Sequence, residues 1–137
     1  MNGDERFAAT ACNRWLGLRL VSRSRARVVV EMPVRAEFVQ EEGVVQGGIL
    51  TALADTTAVW LVWPDLDAKT GMTGIEGSMR FLAPALANGG VLVATATPLR
   101  VGRTIAVCET LVQQDGRDVA KGTFTFLLRE RRTPSGG

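Results

Sequence analysis

Gln46-Gly47-Gly48-Ile49-Leu50-Thr51-Ala52-Leu53-Ala54-Asp55-Thr56-Thr57-Ala58-Val59-Trp60-Leu61-Val62-Trp63, closed by Pro64, is the longest apolar stretch of the chain. Two glycines open it, and a proline, which cannot continue a helix, ends it. Placed at about 100° per residue, its apolar side chains point at nearly every angle. The polar exceptions Thr51, Asp55, Thr56 and Thr57 share no face. A helix that is apolar all round is a buried helix. The flanks read mostly as extended segments, so the pattern predicts an α+β domain in which one antiparallel sheet of five to six strands curls around this long central helix.

Upstream, Asp4 to Leu16 reads as a short helix ending near Gly17. Leu18 to Val34 reads as two extended runs split around Ser22–Arg25, the second stopping at Pro33. Ala36 to Val45 is a polar loop containing Glu41-Glu42-Gly43. Downstream, four β-type stretches follow: Met72–Leu82, Val91–Val101, Thr104–Gln113 and Val119–Arg129. Pro84 through Gly90, Gly102-Arg103 and Asp115-Gly116 mark the connections. With 137 residues there is room for one domain, expected over 1–130, followed by a disordered tail over 131–137.

Composition removes several kinds of chemistry. The chain has no His and no Tyr. A Ser-His-Asp triad, a Cys-His pair, a His-dependent dehydratase and any His-ligated metal site are therefore excluded. Acid–base chemistry must come from the 14 carboxylates, a Lys or a Cys. Sixteen basic residues against those acids set up no strong field, so nucleic acid is not an expected partner. Cys12 and Cys108 follow no metal-binding spacing and read as reduced packing residues. The start, Met1 to Arg6, has no apolar core like that of a secretory signal, and the apolar stretch from Gly47 to Trp63 carries Asp55, so a cytoplasmic protein off the membrane is expected.

Two features of the central helix carry chemistry. Asp55 sits among Ala52, Ala54, Ala58, Val59 and Val62, where an ionised carboxylate without partners is costly. Carboxylates perturbed in this way cluster at functional sites. Gly47-Gly48 opens the same helix, where unpaired backbone N–H groups and the helix dipole favour negative charge and glycine admits close approach. Such a turn can serve as an oxyanion hole. It can equally be a tight loop-to-helix turn, and Asp55 can equally be a hydrogen-bonded structural residue. Eight positions separate Gly47 from Asp55, about 12 Å along the axis. One carbonyl cannot lie within reach of both. If the two cooperate, a two-fold dimer with antiparallel central helices must pair Gly47 of one copy with Asp55 of the other.

The segment Gln40-Glu41-Glu42-Gly43-Val44-Val45-Gln46-Gly47-Gly48-Ile49-Leu50-Thr51-Ala52-Leu53-Ala54-Asp55 resembles the signature of hot-dog-fold acyl-CoA thioesterases. Its branch is similar to the phenylacetate-degradation (PaaI-like) group, related to the 4-hydroxybenzoyl-CoA thioesterases. Arg80-Phe81-Leu82-Ala83-Pro84-Ala85, Val101-Gly102-Arg103-Thr104 and Val119-Ala120-Lys121-Gly122-Thr123-Phe124 look like the same branch. The resemblance implies Asp55 as nucleophile or general base and the Gly47 amide as carbonyl polariser. It implies Gln40 as an orienting amide for the thioester or the attacking water, and places Thr73 near a water-orienting Ser or Thr. Gln46 stands where the family has His; it can donate and accept hydrogen bonds but cannot titrate. Coenzyme A carries phosphates, for which Gly48, Arg80 and Arg103 are candidate contacts, with Arg129–Arg132 a further basic cluster. Trp60 and Trp63 read as core or dimer packing.

The resemblance thus implies hydrolysis of an acyl-CoA thioester to free CoA and a carboxylic acid. No cofactor or metal is expected beyond the coenzyme A of the substrate, and self-association is expected as a homodimer or a dimer of dimers. The replacement of His by Gln46 motivates an alternative, a hot-dog protein that binds acyl-CoA without cleaving it. Nothing in these motifs selects the acyl group.

Overall fold

Alternation of apolar and polar side chains builds the three strands that form the floor of the molecule in the computed structural model, which describes residues 1–132. They are β4 (Leu92–Val101), β5 (Ile105–Gln114) and β6 (Arg117–Glu130). Leu92, Ala94 and Ala96, then Ala106, Cys108 and Val112, then Ala120, Phe124 and Phe126, all point to one buried face. Asp115 and Gly116, both at positive φ (51° and 76°), turn β5 into β6 through the two-residue hairpin that a right-handed twist favours. The other strands are β1 (Arg19–Arg23), β2 (Val28–Met32) and β3 (Thr70–Phe81). All pairings are antiparallel, in the order β1-β2-β4-β5-β6-β3.

The expected central helix, α3 (Gly47–Val62), lies on the concave face against β2, β4 and β5. Small side chains on both sides, Ala54 and Ala58 on α3 and Ala94, Ala96 and Ala106 on the strands, allow a close approach and are fully buried. The buried Thr110 hydroxyl donates to the Ala54 carbonyl at 3.0 Å, tying β5 to the middle of the helix. At the other end Arg23 donates to the Trp60 and Leu61 carbonyls (2.8 and 3.3 Å) and pairs with Asp65 at 2.8 Å. A guanidinium there satisfies end carbonyls and complements the negative end of the dipole.

Three sequence expectations need correction. The single helix over Asp4–Leu16 is two, α1 (Gly3–Ala9) and α2 (Ala11–Leu16). Thr10 interrupts them with an extended backbone (φ −69°, ψ 120°), and its hydroxyl returns to the Arg6 carbonyl at 2.9 Å. The break lets Phe7 stack edge-on against Trp60 (5.1 Å) while Asn13 and Leu16 also turn inward. Trp60 packs in turn on Trp63 at 5.0 Å, with Arg6 3.9 Å over the Trp63 ring, so both tryptophans serve the core at this end. Cys12 is exposed and packs no core, whereas Cys108 is buried. Finally, α3 is not buried all round. Asp55 is exposed and Gly48, Thr51 and Ala52 remain open, because the sheet wraps only one side of the helix. β3 runs past the open side as a long edge strand exposed along most of its length.

Of the tail expected over 131–137, residues 133–137 lie outside the described residues, while the Arg131 amide donates to the Lys69 carbonyl at 2.7 Å. Among the described residues, no helix is long and apolar enough to cross a membrane.

Candidate active site

The segment before α3 is pinned on both sides. Gln40 and Val44 close a tight turn, with the Gln40 amide donating to the Val44 carbonyl at 2.9 Å and Gly43 at positive φ. The Gln46 amide donates to the Phe38 carbonyl, and the Val45 amide to the Ala85 carbonyl in the loop after β3, each at 2.8 Å. Gln46 is the N-cap residue with extended backbone (φ −60°, ψ 137°), but its side chain makes no capping bond among the described residues. The first-turn amides of Gly47 and Gly48 are therefore free to meet an incoming acceptor.

A side chain at Gly47 would have to displace the exposed Phe81 ring. A Cβ there would stand 2.9 Å from Cζ of Phe81, whose ring lies against this turn. Gln40, Gln46, Gly47, Leu50, Phe81 and Leu82 line one cavity of about 620 Å³. The Gln40 Oε1 accepts the Glu42 amide, leaving its NH₂ end as the group available to a ligand.

Asp55 lines a different cavity, about 480 Å³, between the open face of α3 and the β3 edge. Gly48, Thr51 and Ala52 form its helix side, Gly74, Glu76 and Gly77 its β3 side, and Phe124 and Phe126 its floor. Although Asp55 touches solvent, its neighbours withdraw enough water to push its carboxyl above the ordinary value of 3.8, and no neighbouring charge contributes. A second carboxylate shares the cavity: Glu76 accepts the Thr125 hydroxyl at 3.1 Å. The sequence reading missed Glu76, whose signal was a lone charge in the otherwise uncharged run from Thr70 to Met79.

The remaining expected residues are dispersed within one chain. Gly48 sides with Asp55 rather than with Gly47. Thr73 faces a third cavity with Arg129 and Arg131. Arg80 is exposed on β3 opposite Lys121 and lines neither the Gly47 nor the Asp55 cavity. Arg103, at the β4–β5 turn, joins Arg25 and Arg100 around a cavity of about 650 Å³ whose other walls include Leu61, Leu66 and Leu128. No cluster of three His, Cys, Asp or Glu side chains is arranged to hold a metal among the described residues.

Known proteins match this arrangement. A profile described as the thioesterase superfamily matches residues 42–121, a span that includes both the Gly47 turn and Asp55. A Caenorhabditis elegans protein with a provisional esterase name is 34% identical over 110 residues; the alignment covers 79% of this chain and 64% of that protein's length. The crystal structure of AziG from S. sahachiroi superimposes with a TM-score of 0.84 at 28% identity, covering 89% of this chain and 98% of that one. The E. coli PaaI protein from the phenylacetic acid degradation operon shares the fold, with a TM-score of 0.83 at 24% identity over 92% of this chain and 89% of its own. The sheet curled around α3 is thus the hot-dog fold, and with the profile spanning more than half of its residues the chain belongs to the thioesterase superfamily.

Proposed function

We propose that this protein hydrolyses an acyl-CoA thioester at a site completed by two copies of the chain. One observation carries the reading. The free Gly47 amide opens into one cavity with Gln40 and Gln46, while Asp55 opens into another, about 12 Å away along the same helix. Each copy therefore holds half of an acyl-transfer site. A two-fold axis running antiparallel central helices past each other joins the halves, and the long exposed β3 edge, with Ile75 and Phe81 exposed beside it, offers the surface for that contact.

In the joined site the thioester carbonyl accepts from the Gly47 amide, which stabilises the oxyanion as the carbon becomes tetrahedral. The Gln40 amide orients the thioester or the attacking water. Asp55 of the opposite copy either takes a proton from that water or attacks directly, forming an anhydride that water then opens. In both routes the carbon–sulfur bond breaks, the CoA thiolate leaves and is protonated, and the acid is released. Arg100 and Arg103 at the large cavity at the other end of α3, whose wall also holds Asp67 and the Arg25–Asp65 pair, suit the phosphates of coenzyme A.

Gln46 favours a second reading, a dimer that binds acyl-CoA without cleaving it. Its exposed side chain stands at the helix entrance without a capping role, and it cannot relay a proton. One assay separates the two: free-thiol release from aromatic, phenylacetyl, short and medium aliphatic acyl-CoAs by wild type, Asp55→Asn and Gln46→His. Turnover lost only in Asp55→Asn supports hydrolysis without the family His. A silent wild type rescued by Gln46→His supports binding alone; silence in all three overturns hydrolysis of these acyl-CoAs, and absence of acyl-CoA binding in calorimetry overturns the second reading.

A further inference from the structure

We propose that Gln114 is a positioning residue for the Gly47 turn, an assignment that rests on the hydrolytic reading above. Gln114 ends β5 and is 1% exposed, one of four buried polar side chains among the described residues. Its main chain pairs with β4 and β6, but its side-chain hydrogen bonds go to the loop after β3 instead. Its Oε1 accepts the Leu86 amide at 2.7 Å, and its Nε2 donates to the Leu86 and Gly90 carbonyls at 2.9 and 3.0 Å. An amide is the one uncharged side-chain group that can accept and donate twice at once, so the site is fitted to Gln. A buried residue clamping a loop's main chain at three points fixes that loop, because each bond broken without replacement leaves a buried polar group unpaired.

The clamped loop in turn holds the segment that enters α3. Leu86 bridges Val44 as a single antiparallel pair. On either side of it, the Val45 amide donates to the Ala85 carbonyl at 2.8 Å and the Ala87 amide to the Gly43 carbonyl at 3.1 Å. Val45 is followed directly by Gln46 and Gly47, and Gly43 closes the turn that carries Gln40. One side chain thus sets the loop against which both the oxyanion amide and the orienting Gln40 are registered. Gln114 touches no part of the cavity that those groups line. It acts through the main chain of residues 85–87.

Gln114→Met keeps the length and removes all three bonds. Asn13→Leu is the control: it removes a buried side-chain bond, from Asn13 to the Phe7 carbonyl, within the α1–α2 pair and away from the loop that Gln114 holds. Two quantities are read on each variant and on wild type. The first is amide hydrogen exchange at Val45 and Ala87 relative to the middle of α3, without substrate. The second is kcat and KM for the best acyl-CoA. The proposal expects Gln114→Met to exchange at least about tenfold faster at Val45 and Ala87. It expects kcat to fall by about ten- to a hundredfold with KM within about twofold, since misplacing a catalytic group costs rate before affinity. Asn13→Leu should lower the melting temperature and change neither quantity. Unchanged exchange, or faster exchange with unchanged kcat, overturns the proposal. If Gln114→Met does not fold, Gln114→Glu reads the same quantities, since it keeps the acceptor and loses both donors. A wild type that releases no thiol overturns the hydrolytic reading, and the exchange data, taken without substrate, distinguish that failure from a failure of the clamp.

Discussion

Ionising Asp55 costs more free energy in the folded chain than in the unfolded one, because the walls of its cavity withdraw water from the carboxylate. Below the ordinary value of 3.8 the group is protonated in both states and contributes nothing. As pH rises past that value the unfolded chain releases its proton first, so this group progressively lowers stability until the folded carboxyl has also ionised. Asp55→Asn should therefore unfold at the same or a higher temperature than wild type at neutral pH, with the gain vanishing near pH 3, while thiol release is abolished and the dimer persists. Retained turnover would exclude Asp55 from the chemistry. The same raised ionisation predicts that kcat/KM of wild type falls on the acid side with a midpoint above the ordinary Asp value. The two cysteines give a contrasting test. Burial pushes the Cys108 thiol up to about 11, whereas Cys12 is exposed. A thiol-reactive disulfide should label one cysteine per native chain quickly and the second only in denaturant.

The central helix was legible as an element from its own residues. Its two glycines and Pro64 give its start and end, and the observed span Gly47–Val62 agrees, whereas its mostly apolar content overstated its burial. Which face it leaves open was not legible, because that depends on where β3 runs. A helix packed on β2, β4 and β5 has its remaining stripe uncovered whatever its sequence, and Asp55 falls on that stripe. The break at Thr10 was not read for a related reason: residues 4–16 read as one helix, and the break shows only where Phe7, on one side of it, packs on the distant Trp60. Thr110→Val should destabilise the fold by about 0.5–1.5 kcal/mol in denaturant unfolding, since it removes one buried bond between β5 and the Ala54 carbonyl, which keeps its partner within the helix.

For the whole molecule, the separation of Gly47 and Asp55 on one helix means that the proposed hydrolysis requires a pair of chains. Gly47→Val, which drives a side chain into the Phe81 ring, and Asp55→Asn should each be inactive alone. Mixed and allowed to exchange subunits, they should recover about a quarter of wild-type activity, since half of the dimers are mixed and each mixed dimer has one intact site of two. No recovery despite demonstrated exchange would mean that each chain works alone. Ile75→Arg, on the exposed β3 edge, should give a monomer in sedimentation that has lost thiol release. The sequence by itself determined the number of strands and, to within one or two residues, most of their ends, the absence of histidine chemistry and the helix that carries Gly47 and Asp55, because periodicity, turn residues and composition are local. Only the tertiary structure decided that these two residues open into separate cavities, that Glu76 shares the cavity of Asp55, and that Gln114 braces the loop behind the Gly47 turn. Those facts follow from strands and loops far apart in the chain being brought side by side, and no local pattern encodes which of them will meet.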